Sequence, residues 1–217
     1  MTKELFSKIK TCSTEELKRL IHVDTNLNTI LDDQGCTLIH RAIEAGNIQA
    51  AIMLISEFEV DINSVSGEFA WTPLYIACAK YVDNVSSRNA EFLEFIDFLL
   101  INKANPNISS GGAYPLVLAA SKCDIGLMTR LLNSGANVDV VDTGNITALI
   151  AAASSNYANT SKHAAIQLLV DCGADVNIRD NDHKSAEEYY KMDDLSLTIP
   201  GPSRTFIGEN IDPDEEA

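Results

Sequence analysis

The sequence predicts an all-α fold, a solenoid of stacked helix-turn-helix units joined by short hairpin loops. Two recurring segments of the 217-residue chain support this prediction. One segment opens a helix, and its copies lie at residues 35–42, 70–77, 112–119 and 145–152. The other ends a helix with Leu-Leu, a Gly stop and a polar turn; its clearest copies lie at residues 131–142 and 168–177, with weaker copies at 54–63 and 99–107. Units of this kind bury their apolar faces only against their neighbours.

The helix-opening segment carries the start signals of a helix. Its third residue is Thr37, Thr72, Tyr114 or Thr147, so successive copies are 35, 42 and 33 residues apart. Thr is a favourable N-cap, and the prolines at positions 73 and 115 suit the first helical position, where no backbone N–H is needed. Each copy ends in Ala, a small residue where two helices approach closely.

The N-terminal residues predict two more helices. Both have apolar residues at helical spacing, and a capping box from Ser13 to Glu16 precedes the second. The apolar positions are Leu5, Phe6 and Ile9 in the first helix and Leu17, Leu20 and Ile21 in the second.

Together the segments resemble the ankyrin repeat, whose pattern is G-x-T-P-L-H-x-A, a second helix ending in Leu-Leu, and then G-A-D-V-N. The resemblance covers about residues 2–192 and is strongest at 112–177. Three residues depart from the pattern: Leu38 replaces Pro, Tyr114 replaces Thr, and Glu187 stands where a core Leu is expected.

The resemblance implies an ankyrin-repeat solenoid at residues 1–192, followed by an acidic tail at 193–217. We expect an N-terminal capping repeat at 1–31, four repeats at 32–66, 67–108, 109–141 and 142–179, and a partial C-terminal cap at 180–192.

Composition narrows the classes of partner. The formal net charge of −15 would repel nucleic acid and anionic membranes, and it would attract a basic protein surface. The alternative interpretation is that the acidic surface mainly promotes solubility. No apolar run has the roughly 20 residues of a membrane span, and the N-terminus lacks a signal-peptide core. We therefore expect a monomeric cytoplasmic protein that binds a partner protein.

The function expected from the resemblance is protein–protein interaction through a concave face, which is lined by the hairpin tips and the first helix of each unit. The second hairpin carries Phe69 and Trp71, the latter being the single tryptophan. Aromatic residues often anchor interfaces, but either ring could instead pack on a neighbouring hairpin. The candidate binding residues on this face are Phe69, Trp71, Tyr75, Lys80, Lys122 and Ile146. Other positions expected to face the groove include Asp33, Gln34, Cys36, Glu44, Ser110 and Ser154.

Two segments between helices are longer than in the family, at residues 80–89 and 155–161. Each has one tyrosine among polar residues, Tyr81 in the first and Tyr157 in the second, a composition typical of adaptable contact surfaces. Three interpretations stay open: neutral loops, helix extensions, or a second recognition edge that uses both tyrosines.

The chain lacks the motifs of an enzyme. There is no phosphate-binding glycine loop, HExxH or G-x-S-x-G sequence, and we expect no cofactor, no metal and no catalytic residue. His40 occupies the histidine position of T-P-L-H, which implies hydrogen bonds between hairpins rather than base catalysis. The five cysteines are dispersed, so we expect small buried thiols rather than disulfides.

Two further predictions concern the C-terminal part. Asn177 lies in the context in which ankyrin repeats are substrates of asparaginyl hydroxylases, although its side chain could simply satisfy the turn. From residue 193 onward there are seven acidic residues and one basic residue, and the tail resembles the Glu-rich export signals of bacterial effectors. The alternative function is therefore an effector delivered into a host cell, where it recruits or inhibits a host protein. The sequence names neither the partner nor the source organism.

Overall fold

The fold is a stack of helical hairpins. In the computed structural model, the described residues are 2–21, 26–65, 67–68, 70–83, 89–193 and 199–201. Eleven α-helices lie within these ranges, and no strand is formed there beyond two isolated bridges. The helices are α1 (Thr2–Lys8), α2 (Thr14–Leu20), α3 (Leu38–Ala45), α4 (Ile48–Phe58), α5 (Pro73–Asp83), α6 (Asn89–Ile101), α7 (Pro115–Ser121), α8 (Ile125–Asn133), α9 (Ala148–Ala153), α10 (Asn159–Asp171) and α11 (Ala186–Asp193).

The helices form two rows. The inner row is α1, α3, α5, α7, α9 and α11, each packed on the next. The outer row is α2, α4, α6, α8 and α10, also packed in sequence. The alanines that end the helix-opening segments, Ala42, Ala77, Ala119 and Ala152, are all fully buried. Their small side chains let the inner helices pack closely, so the predicted all-α solenoid is confirmed.

The predicted helix starts are largely correct. Ser13 caps α2 by accepting a hydrogen bond from the Glu16 backbone N–H at 3.3 Å, and Thr147 caps α9 by accepting one from Ile150 N–H at 3.2 Å. Pro115 occupies the first position of α7. Thr37 differs: it precedes α3 but makes no side-chain cap bond, because its hydroxyl is engaged by His40.

A ladder of Asn and Asp side chains ties successive units together. In each unit a side-chain oxygen accepts a hydrogen bond from a backbone N–H of the following unit, at 2.7–2.9 Å. The acceptors are Asn28, Asn63, Asn107 and Asp139, and the donors are the N–H groups of Asp61, Asn105, Asn137 and Asp175. The last copy of this position is Asn177, whose amide donates back to Asp175 within its own turn at 2.9 Å.

The C-terminal end is closed by α11 and a short extended segment. Tyr190 of α11 is 1% exposed and its hydroxyl lies 3.2 Å from His163 Nδ1 of α10. Glu187, at the expected core leucine position, is not buried and instead pairs with Lys191 at 2.7 Å. Beyond α11, Ile199 packs on the core and Gly201 accepts a hydrogen bond from Gln167 at 3.1 Å.

Two expectations need correction, and one open question is answered in part. Helix extension, one of the three interpretations of the longer segments, holds in part, since α5 continues to Asp83 and α10 already begins at Asn159. Residues 84–88 lie outside the described residues. Ser110 does not face the groove; it is 1% exposed and bonds to Thr72. Among the cysteines, Cys172 is exposed rather than buried.

Within the described ranges, no helix has the length and apolar composition needed to cross a membrane.

Candidate protein-binding groove

The hairpins and inner-row helices line three cavities. Two adjoin at Trp71 and have volumes of about 330 and 430 Å³; we call them together the Trp71 groove. The residues that both share are Glu44, Trp71 and Ile76. The first is also lined by Asp33, Gln34, Cys36, His40, Arg41, Gly67 and Glu68, and the second by Ala79, Lys80 and Asp83.

The third cavity, of about 500 Å³, lies between the third and fourth repeats. Three tyrosines, Tyr75, Tyr114 and Tyr157, contribute to its wall, and we call it the tyrosine cavity. Its other lining residues include Val117, Leu118, Ser121, Lys122, Asp142, Ile146 and Ser154.

Trp71 is fixed by its backbone and leaves part of its ring at the surface. It directly precedes Thr72, whose hydroxyl caps α5 by accepting a hydrogen bond from Tyr75 N–H at 3.1 Å. The Trp71 carbonyl accepts a hydrogen bond from His40 Nε2 at 2.9 Å. The half-buried side chain packs against the core and also lines both cavities of the Trp71 groove. Trp71 therefore packs on the core and still lines both cavities, and its role in binding stays a prediction.

Trp71 also connects the Trp71 groove with the tyrosine cavity. Its ring centroid lies 6.1 Å from that of Tyr75, with the planes tilted by 40°. Tyr75 also lines the tyrosine cavity, so this ring contact joins the Trp71 groove to that cavity.

His40 has a structural role beneath this wall. Its Nδ1 lies 2.7 Å from the Thr37 hydroxyl and its Nε2 donates to the Trp71 carbonyl. Burial lowers the pKa of His40, which favours the neutral ring that this pairing requires: Nε2 carries the proton and Nδ1 accepts from Thr37. Both ring nitrogens are occupied, so the imidazole is poorly placed for base catalysis, as the sequence indicated.

Arg41, the arginine among the described residues that line the Trp71 groove, is neutralised internally. Arg41 Nε donates to Asp32 at 2.6 Å and Nη1 donates to Glu44 at 2.5 Å. Burial favours the neutral guanidinium, but the hydrogen bonds from Arg41 to Asp32 and Glu44 outweigh it and raise the pKa of Arg41. The pKa of Asp32 shows the same competition. Burial raises it, but the hydrogen bonds from Arg41 and from two backbone N–H groups lower it by more, so the pKa is lowered overall. Arg41 therefore organises the wall and adds little net positive charge.

Acidic side chains predominate around Trp71. Asp33 and Glu68 border one cavity and Asp83 borders the other; all three are exposed, and none pairs with a basic residue in the described ranges. Lys80 is the basic residue that lines the same cavity as Asp83 and partly offsets these negative charges. The Trp71 groove thus combines an aromatic surface with a net negative charge.

The structure brings most of the candidate binding residues together. Trp71 and Lys80 line the Trp71 groove, and Tyr75, Lys122, Ile146 and Tyr157 line the tyrosine cavity. Tyr157 is 48% exposed. Phe69 lies outside the described residues.

Tyr81 lines neither the Trp71 groove nor the tyrosine cavity. It is in the last turn of α5, half-buried against the core, and its pKa is raised by burial and by the negative charge of Asp124. Asp124 caps α8, so Tyr81 lies close to the third unit.

The lining residues that sequence reasoning missed include Arg41 and Asp83 of the Trp71 groove and Tyr114 of the tyrosine cavity. Asp83 was not predicted because residues 80–83 were counted as part of an inserted segment. These residues are helical, so Lys80 and Asp83, which are three positions apart, share a face of α5. Tyr114 was noted only as a replacement for Thr before α7. Its side chain does not cap that helix, which leaves the ring available to the cavity wall.

The described residues contain no cluster of three or more His, Cys, Asp or Glu side chains that could hold a metal ion.

Comparison with known proteins identifies the family. The family described as ankyrin repeats, in three copies, matches residues 7–87 and again residues 84–180. The chain belongs to the ankyrin repeat family. Ankyrin repeat folds are typically non-enzymatic scaffolds that bind proteins, and the hairpin face described above is the part that carries the cavities.

Similar solved structures agree with this fold. An ankyrin repeat domain from Acinetobacter baumannii AYE is 23% identical, covers 87% of this chain and 90% of its own, and gives a TM-score of 0.74. EF0377, an ankyrin repeat protein, is 24% identical, with coverage of 89% and 92% and a TM-score of 0.73. A chain from the complex of the predatory endopeptidase Bd0816 of Bdellovibrio bacteriovorus with immunity protein Bd3460 is 21% identical, with coverage of 87% and 90% and a TM-score of 0.68.

Proposed function

We propose that this ankyrin repeat protein is a non-enzymatic binding module that holds a partner protein in the Trp71 groove and the adjoining tyrosine cavity. The observation that supports this most directly is the position of Trp71. Its half-buried ring borders two cavities and contacts Tyr75 of the third. Large aromatic side chains partly held by the fold bind at low entropic cost, which is why they dominate interfaces.

The charge of the groove supports a partner with a basic surface. Asp33, Glu68 and Asp83 add to the overall charge of −15, which would steer such a partner toward the groove. The same charge argues against nucleic acid and anionic membranes as ligands. We further propose that the protein acts as a monomer in the cytoplasm, without a cofactor.

The test is affinity capture with a matched control. Trp71→Ala removes the ring that joins the cavities, whereas Ile101→Ala removes an apolar side chain that is 76% exposed at the end of the outer helix α6. We expect the Trp71 variant to lose the main captured protein and the Ile101 variant to retain it. Circular dichroism melting of both variants controls for folding. Equal capture by the two variants would contradict the proposal and direct attention to Tyr81 and residues 84–88.

Phe69 remains a proposed contact, and Phe69→Ala alone tests it. Weaker capture than with Ile101→Ala would support the contact, and equal capture would exclude it.

The delivered effector is the alternative that the acidic tail suggests. Residues 202–217 lie outside the described residues, so this alternative stays a prediction from composition. A chain that ends at Gly201 tests it without removing the packed segment at 199–201. Unimpaired delivery of that shortened chain into host cells would exclude an export signal beyond Gly201.

Asn177 remains a proposed hydroxylation site. It is exposed on the turn after α10, and no further unit follows to engage its side-chain oxygen within the described residues. Treatment with a cell lysate followed by peptide mass spectrometry tests the proposal. A peptide containing Asn177 that does not gain the mass of one oxygen atom would refute it.

A further inference from the structure

The Trp71 groove and the tyrosine cavity differ in chemistry, and this difference specifies the kind of peptide segment that fits both. We propose that the partner presents an extended peptide segment, with a Lys or Arg side chain in the Trp71 groove and an apolar side chain in the tyrosine cavity. This inference rests on the proposed binding function and adds the chemical class of the ligand.

The Trp71 groove favours a cation over an apolar or anionic side chain. Its arginine is already held by Asp32 and Glu44 and is only 14% exposed. Asp33, Glu68 and Asp83 stand at the rim with no basic partner among the described residues, opposed by Lys80 alone. A cation placed there would face both the carboxylates and the ring of Trp71, and cations are attracted to aromatic faces, most strongly to Trp.

The tyrosine cavity favours an apolar side chain. Most of its small polar groups are already engaged: Ser121 donates to the Leu118 carbonyl at 2.7 Å, Ser154 donates to the Ile150 carbonyl at 2.9 Å, and Asp142 accepts from two backbone N–H groups. What remains for a ligand is the surface of the tyrosine rings together with Val117, Leu118 and Ile146. The charged residues of its lining are Lys122 and Asp142, whose opposite charges offset each other, so a charged ligand side chain gains no net attraction and burying it would be unfavourable.

One short peptide segment can reach both the Trp71 groove and the tyrosine cavity. The rings that border the two cavities, those of Trp71 and Tyr75, have centroids 6.1 Å apart. An extended chain advances about 3.3 Å per residue, so we expect the basic and apolar positions to be separated by roughly two to four residues.

The experiment selects peptides without assuming a partner. A phage library of random dodecapeptides is panned against the full chain, and against Trp71→Ala to discard clones that bind elsewhere. We expect the Trp71-dependent clones to share a Lys or Arg and an apolar residue at a fixed short spacing. Synthetic peptides of these clones are then titrated by the fluorescence of Trp71, which is the chain's single tryptophan.

Paired substitutions assign each half of the peptide. Glu68→Gln with Asp83→Asn, at two exposed positions, should weaken binding about tenfold, which corresponds to about 1.4 kcal/mol. Replacing the peptide's basic residue by Gln should give a similar loss, and combining both changes should add little, because the two groups act on each other. Tyr157→Ala should couple in the same way to the apolar position. Ile101→Ala is the control and should change nothing.

The outcomes separate this inference from the proposed function. Trp71-dependent peptides without a common basic residue, or losses that simply add, would overturn the inference and leave the binding groove in place. Selection of no Trp71-dependent peptide would overturn both. Retained melting temperatures for Glu68→Gln with Asp83→Asn establish that lost affinity reflects lost contacts.

Discussion

At the scale of single residues, individual polar side chains decide how neighbouring units join. His40 connects the first two units because it reaches Thr37 on one side and the Trp71 carbonyl on the other. The corresponding positions in the next three units are Tyr75, Val117 and Ile150, which cannot form this bridge. The second and third units are instead linked by Ser110, which bonds to the backbone and hydroxyl of Thr72.

We predict that His40 makes the free energy of unfolding depend on pH below about 6.5, the ordinary pKa of histidine. Burial lowers the pKa of His40 in the folded protein, so the unfolded chain binds a proton that the folded chain does not. The stability due to His40 is therefore complete above the unfolded pKa and is lost as pH falls toward the folded value. The loss is at most about 1.4 kcal/mol per pH unit.

Urea unfolding at pH 7.5 and 5.5, roughly one unit above and below the ordinary histidine pKa of the unfolded chain, checks the prediction. His40→Gln should be less stable at both values, because it loses the bridge, but the difference between the two pH values should shrink. The carboxylates whose pKa is lowered, such as Asp32 and Asp180, lose stability only in more acidic solution. An unchanged difference in the His40→Gln protein would contradict the assignment.

At the scale of elements, the close approach of the third and fourth hairpins depends on the absence of a side chain at Gly112. A Cβ at Gly112 would lie 2.2 Å from Thr143 Cγ2, and the residue has φ +87°. Gly135 has nearly the same backbone, φ +84°, but open space around its Cβ position. The two glycines therefore separate a purely conformational cost from a packing cost.

We predict that Gly135→Ala lowers the free energy of unfolding by about 1 kcal/mol through backbone strain alone, and that Gly112→Ala lowers it by clearly more. Adding Thr143→Ser removes the methyl group that would clash, so the double variant should return to about the level of Gly135→Ala. Denaturant unfolding of the four proteins measures this. Equal losses for the two single alanine variants would show that the hairpins separate freely.

At the scale of the whole molecule, the solenoid needs both ends covered, because each unit is stabilised only by its neighbours. The N-terminal end is covered by α1 and α2, whose Leu5, Ile9 and Leu17 are at most 1% exposed. At the other end no helix follows α11 among the residues that the structure describes. Part of the exposed side of α10 is contacted instead by the segment at 199–201, through Ile199 and the Gln167 bond to Gly201.

We predict that a chain ending at Asp193 is less stable than one ending at Gly201 by about 1–2 kcal/mol, the sum of one partly buried apolar side chain and one hydrogen bond. The chain ending at Gly201 should melt like the full-length protein. Ile199→Ser in the full chain should reproduce most of the loss. Equal melting of the two shortened chains would show that the segment contributes nothing.

The sequence by itself determined the family and the row of inner helices, and it placed several of the cavity-lining residues on the hairpin face. Repeated Thr, Pro and Ala positions specify where each first helix begins and where it packs, and these are local or nearest-neighbour properties. Trp71, Tyr75, Lys122 and Ile146 could be placed on the hairpin face because the repeat period assigns every residue a face.

Only the tertiary structure decided how neighbouring units modify one another. It buried Ser110 against Thr72, turned the inserted residues 80–83 into helix so that Asp83 joined Lys80, and drew Tyr81 away to Asp124. It also neutralised Arg41 with Asp32 and Glu44, which left the rim of the Trp71 groove acidic. Pairings of this kind join positions up to tens of residues apart along the chain, and a repeat pattern carries no information about which non-repeated side chains will meet.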